Sequence, residues 1–440
     1  MKLRLIKLRD ALADSFWFLP TVMALVAAAA ALGAVALDHK IGAGWVRSIN
    51  FVWSGGPDGA RGVLSVIAGS VMTVVSIVFS LTITALATTS AHYGPRVLRN
   101  FTSDRGVQVT LGTFIGTFVY CLLVLRTVRS VQENAFVPYL AVTLGIALAL
   151  ASLAVLIFFI HHIAQSIQTE NLIATVGIDL ERAFTTLFPD EIGEGHVPEL
   201  VLPPDYWRQA REIGAHDRGY VQRIDDEALM RVTTTHDLQV DLRRRPGDFV
   251  ARQALLLRVR PVERLTEKIE NELRECVALG TRRTPHQDPR YSLQQLVEIA
   301  AHALSPGINE PYTALGCLDW IGGALGGLVG RALPSAQRCD ADGGLRVLAP
   351  AVTFAELASE SFDEIRTYGA SSPEILSGVL GVITELAPRL RRAADRDVLR
   401  QHVRKVAADS VRIVNEDDRR IVQRRAEAAL RLLDEANAAS

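Results

Sequence analysis

Four stretches without a charged residue fill most of the first 163 positions, at 15–37, 62–91, 106–125 and 134–160. Each is long enough for the roughly 20 residues with which a helix crosses hydrocarbon, so the chain has to be read first against a bilayer. The first stretch follows Lys2, Arg4, Lys7 and Arg9 and ends near Ala34-Val35-Ala36, features it shares with a signal peptide. Its apolar core exceeds the about 7–15 residues of a signal h-region, and it is expected to stay as a span.

Charge divides the chain in the same place. Residues 1–163 carry 12 Lys/Arg against 6 Asp/Glu, and the remainder carries 35 against 42, so a total of −1 hides a basic and an acidic half. No segment outside the spans has the positive excess of a nucleic-acid binder, and none is expected as a partner. The four cysteines, Cys121, Cys276, Cys317 and Cys339, show no CxxC spacing, which points to neither a zinc site nor a disulfide framework. Lys/Arg residues flank the first span on its N-terminal side and occupy the 92–105 loop as Arg96, Arg99 and Arg105. By the positive-inside rule these sides are cytoplasmic, placing the N-terminus and the C-terminal region in the cytoplasm. The soluble part, rich in Ala and Val and with only Lys268 and Lys405 as lysines among many Arg, has the bias of a GC-rich bacterial genome, so the membrane is expected to be a bacterial inner membrane. Trp17, Trp45 and Trp53 suit the two interfaces.

The second span carries a hydroxyl-rich stripe: Gly69, Thr73, Ser76, Ser80, Thr84 and Thr88 recur at spacings of three or four, which is one helix face. Two readings stay open. Small and hydroxyl residues are the usual glue between membrane helices; the same face could line a water-filled path in an oligomer, with Arg96 at its inner mouth favouring anions. Gly112 and Gly116 form a small-xxx-small pair suited to close helix contact. No Asp, Glu, Lys or Arg lies within any of the four stretches, so the usual mark of a proton relay or coupled transporter is missing. His92-Tyr93-Gly94-Pro95-Arg96 reads as a turn that ends the second helix. His161 and His162 close the fourth span and point to different sides of it, which favours interfacial placement over shared ligation.

The helical pattern continues from 163 to about 188 as a stalk, and the Pro/Gly-rich run 189–204 reads as a linker. Over 205–262, alternating apolar residues around Arg245-Pro246-Gly247-Asp248 indicate a small β-module. Its Gly219-x-Val and Pro246-Gly247-Asp248-x-Val phrasing resembles the barrel-sandwich fold of biotinyl and lipoyl carriers. No lysine falls between Lys40 and Lys268 to bear a cofactor, so none is expected. The region 263–440 reads as mainly helical, with amphipathic helices over 354–368, 374–392 and 395–438.

The densest motif runs from Gly280-Thr281-Arg282-Arg283-Thr284-Pro285-His286-Gln287-Asp288 to Ser305-Pro306-Gly307-Ile308-Asn309-Glu310-Pro311-Tyr312-Thr313-Ala314. Arg283, Gln287, Asp288, Ser305, Asn309 and Glu310 are its candidate site residues, and Glu298 and His302 share a helix face beside them. No third ligand stands at a diagnostic spacing, and no metal site is assigned. Ser305 lacks the Gly-x-Ser-x-Gly setting of a nucleophile; Ser305-Pro306-Gly307 suits a helix stop, with Asn309 and Pro311 starting the next helix. The glycines Gly322, Gly323, Gly326, Gly327 and Gly330 suit close backbone approach, and Asp319 argues against a fifth span. Together with the stripe ending in Pro95-Arg96 and the 219–248 module, these motifs resemble the bacterial membrane proteins grouped as DUF2254. The resemblance covers nearly the whole chain and implies an architecture without assigning an activity; Glu310 stands where that family often has Asp.

The expected fold class is therefore an α-helical polytopic membrane domain of four spans, followed by a cytoplasmic α+β region with a barrel-sandwich-like β-module and a helical domain. The leading functional expectation is a non-enzymatic, homo-oligomeric, channel-like assembly with a cytoplasmic regulatory domain. Thr73, Ser76, Ser80, Thr84, Thr88 and Arg96 are its pore-lining candidates. The alternative is a membrane-anchored sensor or scaffold that binds a protein partner or small ligand. Beyond the lipid bilayer and a second copy, the sequence names no ion, ligand or partner.

Overall fold

The structure, a computed structural model, describes residues 15–41, 53–93, 104–129, 136–166, 168–188, 200–329, 331 and 333–438. The N-terminal basic residues, Trp45, Pro95, Arg96, Arg99, Gly330 and the 189–199 part of the linker lie outside them. Two compact units divide the chain, Met1–Asn171 and Leu172–Ser440.

The first unit is four helices: α1 (Phe18–Ile41), α2 (Pro57–Tyr93), α3 (Arg105–Leu125) and α4 (Tyr139–Ser166), all long and apolar enough to cross a membrane. All four differ from the expected spans at one end or both. Helix α1 continues past the last uncharged residue because Asp38 is buried and accepts the backbone N–H groups of Leu140 (3.0 Å) and Ala141 (2.9 Å). That carboxylate satisfies orphan donors of the first turn of α4, and so marks where α4 begins. Helix α2 starts at Pro57, whose fixed φ and missing N–H suit a first turn. Asp104 caps α3 through Gly106 N (2.7 Å) and Val107 N (3.3 Å).

Helix α3 is the hub: 61% of its most apolar stretch is buried, against 17%, 22% and 17% for α1, α2 and α4. Side chains at Gly112 and Gly116 would meet Met23 and Ala27 of α1, so this pair serves contact between helices of one chain. Against α4, the Thr117 and Ser152 hydroxyls pair at 3.0 Å and Tyr120 Oη donates to Ala141 O at 3.0 Å.

In the second unit, α5 (Thr169–Leu187) leads to eight strands: β1 (Arg211–Gly214), β2 (Gly219–Ile224), β3 (Gln239–Leu242), β4 (Phe249–Val250), β5 (Leu255–Arg260), β6 (Val277–Gly280), β7 (Gln337–Cys339) and β8 (Leu345–Leu348). The expected strands are present, but the barrel-sandwich is not found. The described strands form two open sheets, β1-β5-β3-β8-β7 and β4-β2-β6. Strands from outside 205–262 account for the difference. β6 pairs antiparallel with β2, and β8 pairs parallel with β3, occupying edges that a closed module would have had to join to each other. Val221, Val240, Leu242, Leu256, Leu257 and Val259 form the core between the sheets with Leu229 of α6 (Asp226–Thr235) and with Ile269 and Leu273 of α7 (Glu267–Glu275).

The remaining helices are α8 (Arg290–Ala303), α9 (Pro311–Val329), α10 (Phe354–Tyr368), α11 (Pro373–Leu386), α12 (Ala393–Asp409) and α13 (Glu416–Ala438). The stretch read as one helix over 395–438 breaks because Asn415 accepts the N–H groups of Asp417 and Asp418 and starts α13 afresh. By length and composition α9 is a fifth helix able to cross a membrane. It nevertheless buries Ala314, Cys317, Leu318, Ile321, Leu325 and Leu328 within the second unit, packing against α8 and α11. Gly322 meets Val382 of α11, and Gly326 lies against Arg389.

Candidate functional site

Val71, Val78, Thr82, Ala85 and Thr89 form the buried face of α2. At about 100° per residue, Thr73, Ser76, Ser80, Thr84 and Thr88 lie roughly half a turn away, and all five are exposed. The stripe thus points away from the face by which α2 packs on the other described helices of the first unit. Exposed Met72, Phe79 and Ile83 flank it on one side and Ile77 and Leu81 on the other. Thr73, Ser76, Thr84 and Thr88 donate to the carbonyls of Gly69, Met72, Ser80 and Thr84, at 2.9–3.2 Å. Such back-bonding lets a hydroxyl sit in hydrocarbon without an unsatisfied donor. Arg96, the sixth candidate, lies outside the described residues.

The 280–314 motif separates into two places. Arg283 and Asp288 converge on the 245–248 turn, and Gln287 beside them on β2. Asp288 is buried and takes two hydrogen bonds on Oδ2 from Arg283, Nε at 3.0 Å and Nη2 at 2.5 Å, while Oδ1 accepts Arg290 N at 3.2 Å. Arg283 Nη1 also donates to Gln294 Oε1. A Cβ on Gly247, whose φ is +93°, would overlap the Asp288 carboxylate; only glycine gives the turn both that conformation and that clearance. The Gln287 amide accepts Ile224 N at 2.8 Å and donates to Ile224 O at 3.0 Å, pairing with β2 as another strand would. Nearby, Arg245 forks onto Glu356 of α10 at 2.9 and 3.2 Å, and Arg290 meets Glu360 at 2.7 Å.

Electrostatics in this cluster follow burial. Desolvation pushes the Asp288 carboxyl up against the pull of Arg283, and does the same to Glu360 against Arg290. Burial also opposes ionisation of Glu356, but the Arg245 fork prevails and holds its carboxyl below the usual range. Such a network joins β2, the 245–248 turn, α8 and α10, and its chemistry is that of a clamp.

Ser305, Asn309 and Glu310 lie beyond the other end of α8, about 21 Å along its 14 residues. Ser305 O accepts Ile308 N (3.0 Å) and Asn309 N (2.9 Å), Asn309 adopts a φ of +53°, and Glu310 accepts the Thr313 hydroxyl at 3.1 Å. This arrangement is a helix–turn–helix joint, with Tyr312 left exposed on it. Glu298 and His302 are half-buried on α8, and among the described residues no group of three His, Cys, Asp or Glu could hold a metal ion. Cys121, Cys276 and Cys317 are buried and free, and burial pushes the Cys276 thiol up to about 12.

Three features escaped the sequence reading. Asp38, at the end of an apolar run, gave no sign of its partners a hundred positions on. Asp104 did carry a signal, an Asp placed directly before a periodic apolar stretch, and its second oxygen holds His162 Nε2 at 2.8 Å. The third is a cleft of about 760 Å³ on the glycine-rich side of α9, lined by Gly322, Gly323, Gly378 and Gly381 and by Asp319, Glu374, Glu385, Asp418 and Arg425. Burial and the neighbouring Glu385 raise the Asp319 carboxyl.

Apolar membrane-length helices followed by an α+β region define a polytopic helical membrane protein with a large extramembrane part. The sequence comparisons agree on that class. The chain belongs to the family described as "Predicted membrane protein (DUF2254)", whose model matches residues 13–385. It is 31% identical over 420 residues to "Uncharacterized protein Rv1290c" of Mycobacterium tuberculosis, covering 94% of this chain and 80% of that protein. "Uncharacterized protein Mb1321c" of Mycobacterium bovis matches at the same identity and over the same shares. No solved structure matches the chain.

Proposed function

We propose that the chain is the subunit of a homo-oligomeric, channel-like assembly in a bacterial inner membrane. In this reading α1–α4 are its spans, and both the N-terminus and the second unit lie in the cytoplasm, where the second unit regulates the assembly. The observation that carries this reading is the outward hydroxyl stripe of α2. A row of small hydroxyl residues on the face opposite the packed one does nothing for the fold of a single chain. Copies of α2 brought together could approach closely there, and Thr73 to Thr88 could replace part of an ion's hydration.

The test is reconstitution of the full chain in planar bilayers, with single-channel recording and with disulfide cross-linking of a Ser80→Cys variant. Conductance that changes in Ser80→Leu or Thr84→Leu supports the reading. Silence in all three proteins, together with no cross-link between copies, refutes it. Cross-linking without conductance selects the second reading, an anchored sensor, which the charged cleft beside α9 favours as a ligand site.

A further inference from the structure

The cleft of about 760 Å³ walled by α9, α11 and α13 has the size of a small-molecule site, and neither the α2 stripe nor the clamp around Asp288 makes use of it. Two of the glycines on its walls serve packing: a Cβ on Gly322 would come 3.0 Å from Val382, and one on Gly378 would come 2.5 Å from Leu315. The other two do not. A Cβ on Gly323 of α9 or on Gly381 of α11 would meet nothing within 4 Å, so no neighbouring atom requires glycine at either position. Each nevertheless costs its helix about 1 kcal/mol relative to alanine. What the two glycines achieve is room: bare backbone on two walls keeps the space between α9 and α11 open.

Charge decides what that space takes. Among the described residues its walls carry Asp319, Glu374, Glu385 and Asp418 against a single cation, Arg425. Asp319 stands close enough to Glu385 to feel its charge, and no described cation pairs with either of them. The carboxylates are strung out: Glu374 and Glu385 are separated by about 16 Å of helix α11, and among the described residues no three acidic groups could hold one metal ion. A compact divalent cation needs its oxygen ligands in one shell. The same walls are apolar at Leu315, Pro373 and Val382. Spaced carboxylates around apolar surface match a chain of ammonium groups joined by methylenes, whose charges meet the acids while its stems lie along the apolar wall.

The geometry points to a binding site for a linear polyamine in this cleft, with Asp319, Glu374, Glu385 and Asp418 pairing its ammonium groups and Gly323 and Gly381 giving it room. This assigns a ligand class to the cleft that the sensor reading invokes. It rests on the second unit alone, so binding is read apart from conductance and cross-linking.

Calorimetric titration of spermidine into the full chain in an uncharged detergent tests it, and saturable binding is expected. Glu385→Gln keeps the shape of an exposed side chain and removes its charge; it should weaken binding about fivefold, the upper range for one exposed ion pair. Gly381→Leu fills the cleft without changing charge and should abolish binding, whereas Glu263→Gln, an exposed carboxylate outside the cleft, should bind as the wild type does. No saturable binding by the wild type, or wild-type affinity in Glu385→Gln and Gly381→Leu, overturns the proposal. Displacement of spermidine by magnesium chloride, where sodium chloride of equal ionic strength is without effect, assigns the acids to a metal ion and also overturns it. If Gly381→Leu does not fold, Asp319→Asn takes its place with the same fivefold loss expected, and unchanged affinity in that variant counts as refutation.

Discussion

Gly247→Ala probes whether the 245–248 turn and the 283–288 motif are one structure. The substitution acts twice. A side chain at a φ of +93° incurs backbone strain of about 1–3 kcal/mol. The new Cβ also overlaps the Asp288 carboxylate, which cannot yield without giving up Arg283 and Arg290 N. Breaking a buried charged pair costs about 3–5 kcal/mol, so the total is about 4–8 kcal/mol, comparable to the whole stability of many domains. In an Asp288→Ala background the overlapping atoms are gone, and the same glycine substitution should cost the strain alone, about 1–3 kcal/mol. The difference is a coupling of about 3–5 kcal/mol, well above the few tenths expected of independent sites. Urea-dependent pulse proteolysis of the four proteins in detergent, read on fragments of the second unit, measures the cycle. A cost for Gly247→Ala below about 1 kcal/mol, or additivity within a few tenths, would refute the reasoning.

Other perturbations follow from single contacts. Asp38→Ala removes the cap of α4 and should cost about 1 kcal/mol, with faster exchange confined to the Leu140 and Ala141 amides; Asp38→Asn, which keeps one acceptor, should cost less. Gly112→Val drives a side chain into Met23 and should destabilise the bundle by about 1–3 kcal/mol, seen as a lower thermal midpoint in micelles. Burial pushes the His402 imidazole down from 6.5 to about 4, against the opposing pull of Asp363. The folded chain therefore holds His402 neutral while the unfolded chain takes up the proton, so its stabilising effect is complete above pH 6.5 and is lost as pH falls through 4. The loss amounts to about 3 kcal/mol, and a His402→Gln variant should show a correspondingly shallower fall in stability over that window.

What could be read in the sequence was whatever a local pattern encodes. The four membrane helices announce themselves because an uncharged run of that length has few other uses, and strands β2, β3 and β5 because their alternation is local. Their ends and pairings were not legible where the determinant is distant. Asp38 fixes the start of α4 from a different helix, and β7 and β8 reach the first sheet from about a hundred residues downstream, which turns an expected closed module into two open sheets. The same holds for the motif: Arg283, Gln287 and Asp288 were visible as chemistry, but their partners Gly247, Gln294 and Ile224 are brought to them by the fold. Ser305, Asn309 and Glu310, adjacent in the motif, are carried away by the length of α8. His162 was read as an interfacial histidine because its carboxylate partner, Asp104, stands 58 positions away in the chain.

The contrast between the two kinds of membrane hydroxyl bears on what α2 is for. Inside the bundle, Thr117 and Ser152 bond across α3 and α4, and Tyr120 reaches the Ala141 carbonyl; this is the glue that small polar residues supply between helices. The stripe hydroxyls of α2, unlike Thr82 and Thr89 on its buried face, stand on the opposite side from these contacts, and four of them are turned back onto carbonyls of their own helix. A face that lipid alone covered would gain nothing from hydroxyls in place of leucine or valine, since back-bonding slightly weakens a helix. On the proposed reading the stripe acts where a second copy, or a path for water and ions, meets α2, and Ser80→Leu is then expected to leave the fold intact while changing conductance.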